Sequence, residues 1–309
     1  MGADDPTSTI EVTVVGSANL DLVVEVETIP LVGETVLGGD LRRVPGGKGA
    51  NQAVAAARLG RRVMMIGRLG DDEGGAILRS ALDADGVDTS QLRSTPGVPN
   101  GVALIAVGGD GDNAIVVSPG ANARVTGADV DAAGAALDAT VTLLQLEIPL
   151  DAVAAAAQRA TGTVILNPAP APAAALPDHL LAAVDVLVPN QTELATLAGY
   201  DGSVDLEIAT ELAAQLPSRA VVVTLGAEGA LVVADGVTTH VPAPVVTPVD
   251  TTAAGDSFCG ALADAIVRGA DLVDAARWAV RVGAATTQRP GAQPSLPTPA
   301  EVDAFVGGA

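Results

Sequence analysis

Residues 250 to 258 run Asp250-Thr251-Thr252-Ala253-Ala254-Gly255-Asp256-Ser257-Phe258, a stretch of small residues between two carboxylates. An apolar run with Val245, Val246 and Val249 leads in, and Phe258, Ala261, Leu262, Ala265 and Ile266 follow at helical spacing. The pattern predicts a strand, a tight turn and a helix start. The first N–H groups of a helix lack internal partners and carry the positive end of its dipole, so anions collect there. Ala253, Ala254 and Gly255 have no bulk to keep a phosphate from those amides. Asp256 needs a reason, because a carboxylate competes with the phosphate. It is either a helix cap, worth about 1 kcal/mol, or a base that takes a proton from an attacking hydroxyl while the amides hold a transferring phosphoryl group.

The elements that position this turn follow from hydrophobic periodicity. A buried strand at Val12–Val15 ends at Gly16-Ser17-Ala18-Asn19. Strands at Leu22–Val26 and Thr35–Val44 then flank a turn at Pro30–Gly33, with no helix between them. Pro45-Gly46-Gly47-Lys48-Gly49 opens a helix from about Ala50 to Leu59, which Gly60 stops. Val63–Ile66 is a strand and Asp71–Asp83 a helix. Val102–Val107 and Ala114–Ser118, separated by the turn residues 108–112, read as a hairpin. The two hairpin-like regions, about 20–45 and 100–118, are expected to pair as a small sheet projecting from one domain of 309 residues, a lid over a site.

From Ala128 onward helices and strands alternate. Helices fall at Ala128–Leu137, Leu150–Ala160, Asp178–Ala183, Glu193–Ala198 and Leu206–Leu216, and strands at Val141–Leu146, Val164–Asn167, Val186–Val188 and Ala220–Leu225. Ala230–Val233 and Val237–Val241 add strands, and Leu272–Thr287 and Pro299–Phe305 add helices. The fold class is α/β: a mostly parallel sheet covered by helices on both faces.

Composition narrows the chemistry. With 37 acidic against 16 basic residues the formal charge is −21, which repels nucleic acid and anionic lipid. Aromatic residues are 1% of the chain, so base-stacking platforms are not available and the core is built from Ala, Val, Leu and Ile. Of the 16 basic residues one is a lysine, Lys48, and it stands inside a glycine-rich loop. The lone Cys259 allows no internal disulfide, and His179 and His240 lie far apart, which disfavours a zinc site or a Ser-His-Asp hydrolase. The polar, acidic residues 1–9 do not resemble a signal peptide. With no strongly apolar run long enough to span a membrane, a soluble cytoplasmic protein is expected.

In such a sheet, ligands bind beyond the carboxyl ends of the strands. The polar residues that interrupt apolar runs fall there: Asn19, Asp21, Lys48, Asn51, Glu147, Asn190, Glu193, Thr224, Asp250 and Asp256. Asn and Asp cap helices and make turns, which explains each singly but not their collection at strand exits. The G-x-x-x-x-G-K-[ST] loop is missing, and so is the G-x-G-x-x-G turn of dinucleotide sites.

Gly46-Gly47-Lys48-Gly49-Ala50-Asn51-Gln52-Ala53, Asn190-Gln191-Thr192-Glu193, Thr224-Leu225-Gly226 with Gly229, Asp250 through Asp256 and Gly291-Ala292-Gln293-Pro294-Ser295 occur in the order seen in the ribokinase family of sugar kinases. From about Val12 to Phe305 the chain resembles that family. The resemblance implies a ribokinase-like fold and ATP-dependent phosphorylation of D-ribose at its 5-hydroxyl, with Asp256 as base and the helix-start amides of residues 253–256, among them Ala253, Ala254 and Gly255, as anion hole. It implies sugar contacts from Asn19, Leu20, Asp21, Gly47, Lys48, Gly49, Ala50, Asn51 and Glu147. The nucleotide would meet Asn190, Thr224, Leu225, Gly226, Ala227, Glu228, Gly229, Gly255 and Val280. Glu193 would organise Mg²⁺ through water. Asp250, Thr252, Thr286, Arg289, Gly291 and Ser295 would surround a monovalent cation, K⁺ first among them.

Two departures from the family pattern stand out: Val280 takes a place that often holds a polar ring, and Thr252 one that is often apolar. An acidic chain also needs local positive potential for ATP, since like charges about 4 Å apart repel by roughly 4 kcal/mol at an effective dielectric near 20. Mg²⁺, the helix-start amides and Lys48 are the sources. Other expectations stay open: a kinase of another sugar or nucleoside, a non-catalytic sensor, and a homodimer formed through the lid, whose short strands expose edges.

Overall fold

The short apolar runs pair into two sheets in the computed structural model, which describes residues 9–109, 112–172 and 174–306. In chain order the elements are β1 (Val12–Val15), β2 (Asn19–Glu25), β3 (Arg42–Gly46), α1 (Lys48–Arg58), β4 (Val63–Gly70), α2 (Glu73–Ala84), β5 (Leu92–Thr95), β6 (Gly101–Val107) and β7 (Asn113–Ser118). Then come α3 (Gly127–Ala133), β8 (Val141–Leu144), α4 (Leu150–Arg159), β9 (Thr163–Leu166), α5 (Asp178–Leu181), β10 (Val186–Leu187), α6 (Gln191–Ala198) and α7 (Leu206–Gln215). The chain continues through β11 (Ala220–Thr224), β12 (Ala230–Ala234), β13 (Val237–Val241), α8 (Ala254–Val267), α9 (Leu272–Thr286) and α10 (Pro299–Val306).

The main sheet has nine strands in the order β13-β12-β11-β10-β9-β8-β1-β4-β5. It is parallel except at one margin, where β12 and β13 run antiparallel. Alternation along the strands sends Val12, Val14, Leu143 and Ile165 to one face, against α1, α8 and α9. Val15, Leu144, Val164 and Leu166 face the other way, against α3 and α4. This is the three-layer architecture expected from alternating helices and strands.

A second sheet has the order β3-β2-β6-β7. Its two hairpin regions pair as expected, joined by parallel β2 and β6. The registered partners Asn19–Gly101, Asp21–Ala103 and, beyond, Ala103–Val117 share one face, so the carboxylate of β2 looks out beside an apolar strip of β6 and β7. Two of the expected turn residues between β6 and β7, Asp110 and Gly111, lie outside the described residues, as do residues 1–8 of the polar N-terminal segment.

Three expectations need correction. The strand expected over Thr35–Val44 is confined to Arg42–Gly46, because the stretch before it makes only a local bond from Gly39 N–H to Glu25 O and leaves Leu37 exposed. No strand precedes the 250–258 turn. Pro242, Pro244 and Pro248 remove the amide donors a ladder needs, and Val245 is 100% exposed. The helix expected over Ala128–Leu137 ends at Ala133, where Gly134 takes φ +54° and a 3₁₀ turn follows. β2 begins at Asn19, before the expected Leu22, β4 runs on past Ile66 to Gly70, and β5 is a strand the pattern did not predict; the remaining boundaries differ by a residue or two, within the ordinary fraying of element ends.

The contact that matters most for position is α1 against α8. Both helices are rich in alanine, and Gly260 lets them close: a Cβ there would lie 2.6 Å from Ala55 Cβ and 3.0 Å from Ala56 N. Gly260→Ala should therefore prise the pair apart and lower stability by about 1–3 kcal/mol, the usual cost of overpacking. Denaturant midpoints compared with the wild type at unchanged slope check this.

Candidate active site

Asp256 sits in the first turn of α8 and is 7% exposed. Ala253, not Asp256, is the N-cap, and the Asp256 carboxylate turns away from its own helix. Its Oδ2 accepts from Asn51 Nδ2 at 2.9 Å and its Oδ1 from Gln52 Nε2 at 3.2 Å, both on α1. The capping alternative therefore falls. Burial raises the Asp256 pKa above the usual carboxylate range; Lys48 and the two amide donors work against this, and Glu147 adds to the rise.

Ala253 takes a left-handed backbone, φ +59°, a conformation that costs a non-glycine residue about 1–3 kcal/mol. That bend starts α8. Ala254 N–H donates to Thr251 O and Ser257 N–H to Ala253 O, so the amides of Gly255 and Asp256 are the ones between them at the helix start. Gly255 is exposed, and a Cβ on it would meet nothing within 4 Å, so no side chain crowds this helix start. Among the expected 253–256 amides, that of Ala254 is taken up by Thr251 O.

Glu147, just beyond β8, ties the two sheets together. Its Oε2 accepts from Ser17 Oγ at 2.6 Å, from the Lys48 backbone N–H at 3.1 Å and from Asn19 Nδ2 at 3.5 Å. Asn19 Oδ1 in turn accepts from Asn122 Nδ2 at 2.7 Å. Gly47 enters α1 with φ +89°, and a Cβ there would stand 2.6 Å from Asn19 N, so only glycine fits between β2 and the helix. Asp21, 9% exposed, has its pKa pushed up to about 7 by burial, then by Glu147 and Asp256. Burial tends to lower the pKa of Lys48, but Asp256, Glu147 and Glu193 outweigh it and leave the pKa raised, so the ammonium keeps its charge.

Asn190 caps α6 in a reciprocal box: Asn190 Oδ1 accepts from Glu193 N–H at 2.8 Å, and Glu193 Oε2 accepts from Asn190 N–H at 2.9 Å. Glu193 is buried, which raises its pKa against the Asn190 bond and Lys48. Asn190 bridges to Thr224, and the loop that follows is closed by Leu225 N–H to Gly229 O, 2.8 Å. His240 Nε2 lies 2.7 Å from Glu228 O. Val280 is the outlier, 6% exposed within the main core. Leu20, Ala50 and Leu225 are buried too, so any ligand meets their backbone.

The six residues expected around a monovalent cation come together at the 249–252 and 286–295 loops. Asp250 Oδ1 accepts from Thr252 N–H at 2.8 Å and Oδ2 from Gly291 N–H at 2.7 Å. Burial tends to raise the Asp250 pKa; these bonds and the Arg42 charge overcome it and leave it lowered. The Thr286 hydroxyl donates within the helical layer, and the Ser295 hydroxyl donates to Ala292 O. Arg289 donates to Ser295 O and Glu301, and a guanidinium has no lone pair to offer. Beside the backbone oxygens, the Asp250 carboxylate and the hydroxyls of Thr252, Thr286 and Ser295 keep lone pairs, so the cluster can offer oxygen ligands. Among the described residues no group of three or more His, Cys, Asp or Glu is placed to hold a metal ion.

Sequence reasoning passed over Ser17, Gln52, Asn122, Gln145 and Asn167, all hydrogen-bonded within this site. Gln145 and Asn167 directly follow apolar strands, the signal that picked out Glu147 and Asn190.

The profile of the pfkB family carbohydrate kinases matches residues 9–299. A ribokinase of Schizosaccharomyces pombe is 40% identical, covering 95% of this chain and 97% of the relative, and one of Bacillus subtilis is 38% identical, covering 94% and 98%. A deoxyribokinase of Salmonella typhi is 35% identical, covering 94% and 96%. The structure of Arabidopsis thaliana ribokinase complexed with ribose and ATP superposes with TM-score 0.87 at 33% identity, covering 97% of this chain and 99% of that one. The chain belongs to the pfkB family of carbohydrate kinases. Within it the chain is similar over nearly its whole length to ribokinases.

The Asp21 carboxyl ties stability to pH. Its pKa in the fold, about 7, exceeds the ordinary 3.8 of an aspartate, so its proton favours the fold, fully below pH 3.8 and no longer once pH has risen through 7. Asp21→Asn should thus be more stable than the wild type at pH 8, by on the order of 1–3 kcal/mol, with the gap shrinking toward pH 5. Urea titrations at both pH values check it.

Proposed function

We propose that this chain transfers the γ-phosphoryl group of ATP to O5 of D-ribose, giving D-ribose 5-phosphate and ADP. The observation that carries this is a buried carboxylate, Asp256, held by two α1 amides beside a helix start where Gly255 is exposed and uncrowded. Asp256 takes the proton of the sugar hydroxyl as its oxygen bonds to phosphorus. The amides at the start of α8 stabilise charge on the transferring group. The nearly full-length likeness to ribokinases supports ribose as the acceptor.

Asn19, Asp21, Glu147 and Asn51 supply directional partners for ribose hydroxyls. Asn51 Oδ1 is buried without a protein partner, the condition of an acceptor built to meet a ligand. The Asn190–Thr224 bridge and the Leu225–Gly229 loop form the nucleotide side. Lys48 counters the carboxylates around the phosphoryl path.

Mg²⁺ bound to the nucleotide neutralises phosphate charge, and Glu193 is the residue that would hold it, through water. Glu193 Oε2 is committed to Asn190, so Oε1 is the oxygen on offer. K⁺ fits the carbonyl-rich loops at Asp250, Thr252, Thr286, Arg289, Gly291 and Ser295. The reaction belongs in the cytoplasm, where ATP is regenerated; among the described residues no helix is long and apolar enough to cross a membrane.

The 35% identity to a deoxyribokinase favours one alternative, 2-deoxyribose as acceptor. Release of ADP measured with ribose, deoxyribose, fructose and nucleosides, with Mg²⁺ and K⁺ present, decides between them. Ribose should give the highest kcat/KM; no ribose-dependent turnover would overturn the assignment. Asp256→Asn should lower kcat by roughly 10²–10⁴ while sugar and nucleotide still bind, whereas a non-catalytic sensor would keep its response.

The second sheet also supports a homodimer. All six residues of β7 are exposed, and the registered pair Leu104 and Val116 makes an exposed apolar surface on one face of β6 and β7 that a second copy would cover. Sedimentation at micromolar concentration should give a dimer for the wild type and a monomer for Val116→Glu.

A further inference from the structure

Asp256 rests on a run of buried amides whose directions are dictated from the far end. Val188 O, a carbonyl that can only accept, takes a bond from Asn167 Nδ2 at 2.9 Å. That leaves Asn167 Oδ1 as acceptor toward Gln52 Nε2 at 3.2 Å, and the same Gln52 nitrogen reaches Asp256 Oδ1 at 3.2 Å. Gln52 Oε1 accepts from Gln145 Nε2 at 2.6 Å. Gln52 and Gln145 are both 0% exposed. Both N–H groups of Gln52 and its oxygen are thereby committed, and a flipped amide would set oxygen against two acceptors.

We infer that Gln52 is a positioning residue for the reaction: clamped between Asn167 and Gln145, it fixes Oδ1 of Asp256 and so holds the carboxylate in one orientation. Asn51 fixes the other oxygen. The inference rests on Asp256 being the base. Gln52 lies beneath that carboxylate and acts only through it, which separates its role from that of Asn51, whose free oxygen faces a ligand.

Donation to the ionised form also opposes the rise that burial imposes on the base. The charged and titratable groups around Asp256 are Lys48 on α1, Glu147 beyond β8, Asp21 on β2, Glu193 on α6 and the Cys259 thiol on α8. Gln52→Glu preserves shape and the acceptor for Gln145 but replaces the donor facing Asp256 by an oxygen. Removing a donor to a carboxylate raises its pKa, so the acid limb of the kcat–pH profile should move to higher pH.

The test is the pH dependence of kcat and KM for the full-length wild type, Gln52→Glu, Gln145→Met and Asp256→Asn with ribose and MgATP. Gln52→Glu should shift the acid limb upward by about one pH unit or more and lower kcat at neutral pH roughly tenfold, with KM for ribose within about twofold. Gln145→Met, an apolar replacement of similar length that frees Gln52, should move the limb the same way by less. A fall in kcat with the limb unmoved in Gln52→Glu overturns the inference. Should that variant fail to fold, a wild-type profile in Gln145→Met overturns it equally. Wild-type turnover in Asp256→Asn would instead remove the assignment of Asp256 as base, a separable result.

Discussion

The structure depends on keeping a carboxylate ionised where water is excluded. Burying an unpaired charge costs far more than a neutral polar group, and a protein meets that cost with donors aimed at the charge. Here the donors are consecutive residues, Asn51 and Gln52, on a helix other than the one bearing Asp256. The two helices must therefore lie in close contact and fixed rotation, and Gly260 with the alanines on both makes that approach possible. A core with 1% aromatic residues is thin enough to permit it. Composition and site geometry are two views of one packing solution.

Three carboxylates, Asp256, Glu147 and Glu193, act on one ammonium, Lys48, and a fourth, Asp21, feels Glu147 and Asp256. Such a cluster is poorly suited to polyphosphate until cations and hydroxyl donors join it. In the proposed reaction the ligands are part of the charge balance: sugar hydroxyls donate to the carboxylates, and nucleotide-bound cations offset them. Asp21, held near neutrality in its pKa, is the member with most to gain from a hydroxyl donor.

Most of this site was legible in the sequence because its residues interrupt apolar runs at strand exits, where nothing but a ligand or a cap explains them. Asp256, Asn51, Glu147 and Glu193 meet around Lys48 for that reason. The strand before the 250–258 turn was misread because its valines look like a ladder until the prolines among them are counted as missing donors. Gln52 and Gln145 were hidden by their position inside elements that hydrophobic periodicity treats as core, although a glutamine at 0% exposure must have partners. Val280 followed family position alone, and the core claimed it. The order of helices and strands needed only local pattern; the joining of β2 to β6 needed two distant hairpins to be taken as one sheet.

The division of labour between the sheets follows from where β2 leaves β1. Only Gly16, Ser17 and Ala18 separate β1 of the main sheet from Asn19, so the side chains of β2 proposed to bind hydroxyls are set by the same backbone that fixes the parallel sheet. Glu147 then gathers Ser17, Asn19 and the Lys48 amide on a single oxygen, joining β2, α1 and the end of β8. In the proposed reaction a sugar seated there would meet donors and acceptors from both sheets at once, its position relative to Asp256 set by short covalent paths rather than by long loops. For phosphoryl transfer, where alignment supplies much of the rate, that rigidity is the more valuable property.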